Sequence, residues 1–453
     1  MNEFENREPI IPVSLQEAFW LVSADMGYGH QRAIYPLRGL SRNGIILNAN
    51  ISKAAKPSER RLWKRSLKFY ERLSRAQQIP FLGKYFTRIL DKLLFIPQYY
   101  PFKDYSEPTF QVRLLQRSIK KGLCHGVVSE IQNPELPLIT SFYSSAIAAE
   151  MAGHRFVFCI ICDTDMNRVW VAEKARETRI IYFAPNGTSA QRLFSYGVPQ
   201  RNILVTGFPL PLELLGNREL SVLKSDLGKR LGRLDPRGMF HALYHHSIDA
   251  FLSKSYKPIH PELPPPLTIT YVVGGAGAQK EIALKIAKSL KKKIKNGHAA
   301  LNLVAGTRTE VRDYFQKIRT EVLNDHQNVT IVWAETNEAY FDAFNKILHT
   351  TDVLWTKPSE LSFYCALGIP IIMTPAIGPQ EKCNRRWLRE IGAGIKQGKP
   401  KHTNQWLFEL YRKGRLADAA WNGFLKGRKY GTFNILDFLE HGAFEHSNNP
   451  CKR

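Results

Sequence analysis

The sequence predicts an α/β protein made of two doubly wound parallel-sheet domains. Three observations carry this expectation. The chain has 453 residues, more than one hydrophobic core accommodates, because single cores stop growing at roughly 250–300 residues. Short uninterrupted apolar runs recur along it, separated by segments of helical periodicity, which is the pattern of parallel strands buried on both faces. Two of those runs, 19–24 and 269–273, lead directly into glycine-bearing turns and then into helical segments.

Taken in order, the first set of strands is 19–24, 45–47, 138–141, 156–162, 180–183 and 203–206. These define a domain over 1–210 with a basic insertion at 53–121. From Pro209 to Pro266 the character changes, with scattered Gly and Pro and a cluster of His241, His245 and His246. Pro264, Pro265 and Pro266 together cannot continue a helix or a central strand, so 211–266 reads as a stiff connector or insertion. The second set, 269–273, 301–305, 330–333, 353–355 and 371–373, defines a second domain over 267–402. The remainder, 403–453, reads as helices and a polar tail. Two such domains facing a cleft would bind ligands beyond the carboxyl ends of their strands.

A hydrophobic fraction of 44% with 11% aromatics is that of a folded globular chain, and no internal repeat or low-complexity tract is present. No window approaches the roughly 18 consecutive apolar residues of a spanning helix. The first residues are polar and acidic, so a signal peptide is not expected. A cytoplasmic, thiol-reducing setting follows as the expectation. Six cysteines are spread over the chain, and the close pair Cys159 and Cys162 lies in an apolar run. It reads as two small core residues in preference to a redox or zinc site, since no second pair completes a tetrad. The net charge of +24 implies attraction to something anionic: a phosphate-bearing substrate, a nucleic acid or an acidic membrane face.

Four blocks carry residues able to do chemistry. The first, Gly27-Tyr28-Gly29-His30, follows a strand and opens a helix, where glycines allow close approach of a ligand and free amides face it. As a dinucleotide fingerprint it is poor, with Arg32 at the third glycine position and Asn48 and Asn50 where an acidic ribose ligand belongs. A neutral imidazole at His30 is suited to accept a proton from a hydroxyl. The second block runs Cys162-Asp163-Thr164-Asp165-Met166-Asn167-Arg168-Val169-Trp170. Asp163 and Asp165 there either orient an acceptor or an imidazole, or act as turn-forming caps. The third, Val273-Gly274-Gly275-Ala276-Gly277, offers amides and a helix start to a diphosphate.

The fourth block is Thr356-Lys357-Pro358-Ser359-Glu360, followed by Leu367-Gly368-Ile369-Pro370 and by Gly378-Pro379-Gln380-Glu381 with Asn384. It places Lys, Ser, Glu, Gln and Asn on the turns around two short apolar strands. A carboxylate such as Glu360 can accept both hydroxyls of a ribose diol.

These blocks resemble the lipid glycosyltransferases that include monogalactosyldiacylglycerol synthase and the processive diacylglycerol glucosyltransferases, relatives of the peptidoglycan N-acetylglucosaminyltransferase. The resemblance covers most of 19–37, 156–210 and 268–395. It implies the GT-B fold and an inverting, metal-independent transfer of a hexose from a UDP-sugar to an acceptor hydroxyl, with the UDP-sugar as substrate and no further cofactor. By it His30 is the catalytic or positioning residue, with Asp163 and Asp165 beside it. Gly27, Gly29, Asn167 and Trp170 lie on the acceptor side. Gly274, Gly275, Gly277, Thr356, Lys357, Ser359, Glu360, Gln380, Glu381 and Asn384 are on the donor side. The chain departs from the pattern at Asn167, where the lipid enzymes usually carry His, and at Glu360, eight residues before Gly368 where about five are usual. Same-fold alternatives are UDP-sugar epimerisation or hydrolysis, and a nucleotide-sugar binding protein without catalysis.

Between Lys53 and Lys92 twelve Lys or Arg stand against three acidic residues. Lys84, Arg88 and Lys92 repeat every four residues beside an apolar set that includes Ile89, Leu90 and Leu94, the pattern of a basic amphipathic helix. Packing on the first domain is the alternative reading. The resemblance gives this insertion, 53–121, a contact with an anionic membrane surface and a lipid acceptor, hence a peripheral location on the inner face. No specific nucleic-acid partner is expected, since no reading module accompanies the charge.

Overall fold

The computed structural model describes residues 15, 18–65, 95–131, 135–252, 265–275, 277–447 and 449–453, with backbone alone at 42 and 43. The basic repeat at 84–94 and the prolines at 261 and 264 lie outside the described residues. The chain divides into two compact units, each built on a six-stranded parallel sheet.

The first unit comprises 1–210, 377–384 and 430–446. Its strands are β1 (Phe19–Ser23), β2 (Ser41–Asn48), β3 (Leu138–Thr140), β4 (Val157–Ile160), β5 (Ile181–Phe183) and β6 (Ile203–Leu204), ordered β2-β1-β3-β4-β5-β6. All six expected runs form strands; in the inner ones side chains on both faces find cover, every residue of β3 and β4 being buried, while the edge strand β2 leaves Ile45 exposed. Register is set by pairs such as Trp20 with Leu138 and Phe158 with Ile181. Because β1 lies between β2 and β3, the order reverses there, and a ligand crevice is expected beyond the ends of β1 and β3.

The helix Gly431–His441 belongs to this unit and not to a separate tail. Phe438 stands edge-on to both Phe158 and Phe183, which are stacked 5.7 Å apart. Its burial contributes roughly 2–3 kcal/mol. Asn434 donates to the Thr206 carbonyl at 2.8 Å and Thr432 to that of Leu210 at 2.5 Å. The approach depends on a glycine: a Cβ on Gly431 would lie 2.1 Å from the Phe208 carbonyl oxygen. Gly431→Ala is therefore expected to destabilise the unit by about 3 kcal/mol, since backbone cannot yield as a side chain can. A fall in denaturation midpoint in urea checks it.

The second unit comprises 211–376, 385–429 and 447–453. Its strands are β7 (Leu267–Val272), β8 (Ala299–Gly306), β9 (Val329–Trp333), β10 (Val353–Thr356), β11 (Ile371–Met373) and β12 (Gly394–Lys396). Their order, β12-β11-β10-β7-β8-β9, is that of a doubly wound dinucleotide-binding sheet, reversing between β7 and β10. Here β12 is a strand the sequence reading did not contain.

The segment 211–252 is not a connector. It forms helices Leu212–Leu215, Ser221–Leu234 and Met239–Leu252, and the middle one buries Leu223, Leu227, Leu231 and Leu234, a helical apolar stripe. From the same helix, Arg230 is 1% exposed and donates to the carbonyls of Leu348, Thr351, Leu367 and Gly368 at 2.7–3.3 Å. Burial lowers its pKa to about 10, so it remains a cation at neutral pH. Leu348 and Leu367 end the helices Asn337–Leu348 and Glu360–Leu367, whose unsatisfied carbonyls carry partial negative charge. One guanidinium thus closes two helix ends. Next to it Arg233 pairs with the fully buried Asp352 at 2.7 Å.

Candidate functional site

In the first unit the loop after β1 is pinned by Asn50, whose Oδ1 accepts from the Asp25 amide at 2.7 Å. Gly27 has φ 112° and ψ 165°, a region open to glycine alone, and the helix Tyr28–Ile34 starts directly after it. Gly29 and His30 lie in its first turn. His30 Nδ1 is 2.7 Å from the carbonyl oxygen of Ser141, at the end of β3, and Ser141 Oγ donates back to the His30 carbonyl at 2.6 Å. A carbonyl only accepts, so Nδ1 carries the proton and Nε2 holds the lone pair. The ring sits edge-on to Phe142 at 4.9 Å and tilted to Trp170 at 6.1 Å. His30 thus lies at the point where the strand order reverses.

Cys162 Sγ lies 3.7 Å from His30 Nδ1. Cys159 and Cys162 are both buried and neither forms a disulfide, and burial pushes the Cys159 thiol far above its ordinary range. That is the behaviour of core residues. Among the described residues no His, Cys, Asp and Glu cluster able to hold a metal occurs.

The acidic block after β4 is built rigidly. Asp165 is 1% exposed; Arg192 reaches its two oxygens at 2.8 and 3.0 Å and also donates to the Pro97 carbonyl. The Met166 amide takes the same Oδ1 at 2.9 Å. A carboxylate engaged in this way holds its loop, the structural one of the two roles weighed for Asp165. Asp163 is partly exposed and accepts from Asn384 Nδ2 at 2.8 Å. Asn384 Oδ1 in turn accepts from the amide and hydroxyl of Thr164, both at 2.9 Å. Asn384 is fully buried and belongs to the first unit; its amide is engaged by the acidic loop. Asn167 is 4% exposed, and its buried Oδ1 finds no partner among the described residues. Trp170 is buried against Tyr143 and His30, with its carbonyl taken by Tyr182.

Gln380 and Glu381 also belong to the first unit, in the opening turn of the helix Pro379–Glu390. Glu381 Oε2 accepts from the Ile377 amide at 2.7 Å, a carboxylate satisfying a helix start. Pro at the first helical position fits the same start.

In the second unit Gly274, Gly275 and Gly277 follow β7, and Thr356, Lys357, Ser359 and Glu360 follow or end β10, at the reversal of that sheet. The two loops touch: a Cβ on Gly274 would lie 2.7 Å from Lys357 Cε. Gly277 has φ 69°. Thr356 is 1% exposed in the strand, and its carbonyl accepts from Thr374. Glu360 is 8% exposed at the start of its helix, with Ser359 in the preceding position.

Two supports were missed in the sequence. Arg308 Nε donates to the Gly275 carbonyl at 2.6 Å. Gln279, held at φ 68°, accepts from Thr374 Oγ1 at 2.6 Å, donates to the Pro375 carbonyl at 3.0 Å and offers its own carbonyl to Tyr271. Together they fix the glycine turn between β8 and β11.

A family model described as a domain of unknown function (DUF6938) matches residues 306–434. No curated protein matches the chain. Among solved structures the chain is similar to Phytolacca americana UGT2 complexed with UDP-2fluoro-glucose and pterostilbene, at 9% identity and a TM-score of 0.47, covering 95% of this chain and 100% of that one. It is similar to MurG from Acinetobacter baumannii at 13% identity and 0.39, covering 82% and 95%. A UDP-GlcNAc 2-epimerase from Neisseria meningitidis bound to UDP-GlcNAc aligns at 13% and 0.42, covering 74% and 83%. Likenesses at this identity and overlap bear on neither substrate nor reaction.

Proposed function

We propose that this protein is a GT-B-type glycosyltransferase that moves a hexose from a UDP-sugar to an acceptor hydroxyl, with inversion and without a metal. The observation that carries the reading is the contact of the Gly274 turn with Lys357 at the reversal of the second sheet. The Lys357 side chain lies against the Gly274 backbone there, and an ammonium beside a glycine turn at such a reversal suits a diphosphate. Glu360, one helix start away, would accept the ribose hydroxyls.

In this reading the acceptor hydroxyl lies against His30. As its oxygen attacks the anomeric carbon, Nε2 takes the proton, and the bond from that carbon to the diphosphate oxygen breaks. The charge passes to UDP, where Lys357 and the Gly274 amide offset it, while the Gly277 amide closes the turn on the Gly274 carbonyl at 2.8 Å. The Ser141 carbonyl stabilises the imidazolium by holding Nδ1–H. Asp163, clipped by Asn384, keeps the second loop in place. A lipid acceptor at an anionic membrane face is the partner favoured by the resemblance and by the net charge of +24. No described helix is long and apolar enough to cross a membrane.

The test is UDP release from a panel of UDP-sugars, with and without anionic vesicles containing diacylglycerol. Acceptor-dependent release is expected, and Glu360→Ala should weaken UDP binding at least about tenfold, as lost charge-assisted hydrogen bonds do. Turnover that needs no acceptor would replace transfer by epimerisation or hydrolysis. Binding of UDP without turnover would leave a non-catalytic binding protein, and absence of binding would overturn the donor site.

A further inference from the structure

Resting on that reading, we propose that Trp63, at the root of the basic insertion, is a positioning residue for His30. Its fixation begins with two acid clamps, one partly exposed and one buried. Glu130 Oε1 accepts from Ser52 Oγ at 2.6 Å and from the Ala54 amide at 2.9 Å. Glu59, 2% exposed, accepts from the Gly126 amide at 2.8 Å and from Trp63 Nε1 at 3.3 Å. The backbone at 55 lies so close to Gly126 that a Cβ there would be 2.6 Å away. Residues 52–63 are thus an integral part of the first unit, and the indole of Trp63, 5% exposed, has one orientation.

That indole lies 6.0 Å from the ring of Phe142, and Phe142 lies edge-on to the His30 imidazole at 4.9 Å and 80°. Phe142 also follows Ser141 directly, the residue whose carbonyl receives Nδ1–H. Displacing Phe142 therefore acts twice on His30, through the ring it leans on and through the carbonyl that selects its tautomer. Nothing in the reaction requires a tryptophan 33 positions from the base, yet the insertion begins by inserting one behind it. A general base loses rate steeply with small misplacement, so a rigid backing residue is a kinetic asset that leaves donor affinity alone.

The experiment compares wild type, Trp63→Leu and Trp63→Phe in the full chain, with imidazoles labelled with nitrogen-15 and the His30 signal assigned by its loss in His30→Gln. Trp63→Leu is expected to mix the His30 tautomers. It should lower kcat on the order of tenfold, shift the acidic limb of the kcat profile, and change KM for the UDP-sugar less than about twofold. Trp63→Phe, which keeps a ring, should retain most of the wild-type tautomer signal and rate; it also serves if the leucine variant fails to fold. An unchanged His30 tautomer signal in a folded Trp63→Leu variant overturns the proposal. So does an equal loss in kcat and donor affinity. If no turnover occurs in the wild type, the transferase reading fails, while the tautomer signal still decides whether Trp63 positions His30.

Discussion

His30→Ala lowers kcat for transfer by about 10²–10⁴-fold while leaving the dissociation constant for UDP within about twofold. The first figure is the range that a positioned general base contributes. The second follows because His30 lies in the first unit and the glycine turn with Lys357 in the second. His30→Gln separates the two parts of the role: its side chain can still donate toward the Ser141 carbonyl, so the loop is preserved, but no lone pair of suitable basicity remains. Equal defects in both variants are expected. Measuring initial rates of UDP release beside equilibrium binding of UDP provides the check. A variant that loses both together points to a collapsed loop, since Ser141 and His30 are joined by two reciprocal hydrogen bonds.

Arg230→Ala destabilises the second unit by about 4 kcal/mol. The substitution strips four buried carbonyls of their donor, and an orphaned buried acceptor costs roughly 1–3 kcal/mol. It also opens a cavity beneath a side chain that was 1% exposed. The losses do not simply add, because the helix ends can relax toward water. Arg230→Lys recovers only part, since an ammonium lacks the planar fork that reaches carbonyls on different segments. Urea denaturation followed by near-ultraviolet circular dichroism reads the effect, fitted with separate transitions for the two units. A loss below about 1 kcal/mol would mean that the guanidinium is replaceable by water.

The sheets were legible because their inner strands, such as β3, β4 and β10, are buried on both faces and written largely in branched or aromatic residues. The exception, Gly394–Lys396, has no fully buried residue and only three positions, too few to show a period. The segment 211–252 was misread for a different reason. Its Gly, Pro and His content drew attention, while Leu223, Leu227, Leu231 and Leu234 already formed a helical stripe. Within the site, residues that act through local geometry could be found: Gly27, His30 and the Gly274 turn follow strands, and strand ends are where ligands bind. Residues that act across long separations could not. Asn384 meets Thr164 after 220 positions, and Asp165 meets Arg192 through folding alone. A polar residue near a motif looks the same in sequence whether it faces a ligand or ties down a loop. Burial separates the two cases, and burial is a property of the fold.

The return of Gly431–His441 to the first unit has a bearing on synthesis. A ribosome releases residues 1–210 long before this helix exists, so the nascent unit must wait with the aromatic pair Phe158 and Phe183 short of its edge-on partner Phe438. Domains usually mature in the order of their emergence. Here the part translated first is completed last, and its unfinished surface is the interval during which a chaperone has something to hold.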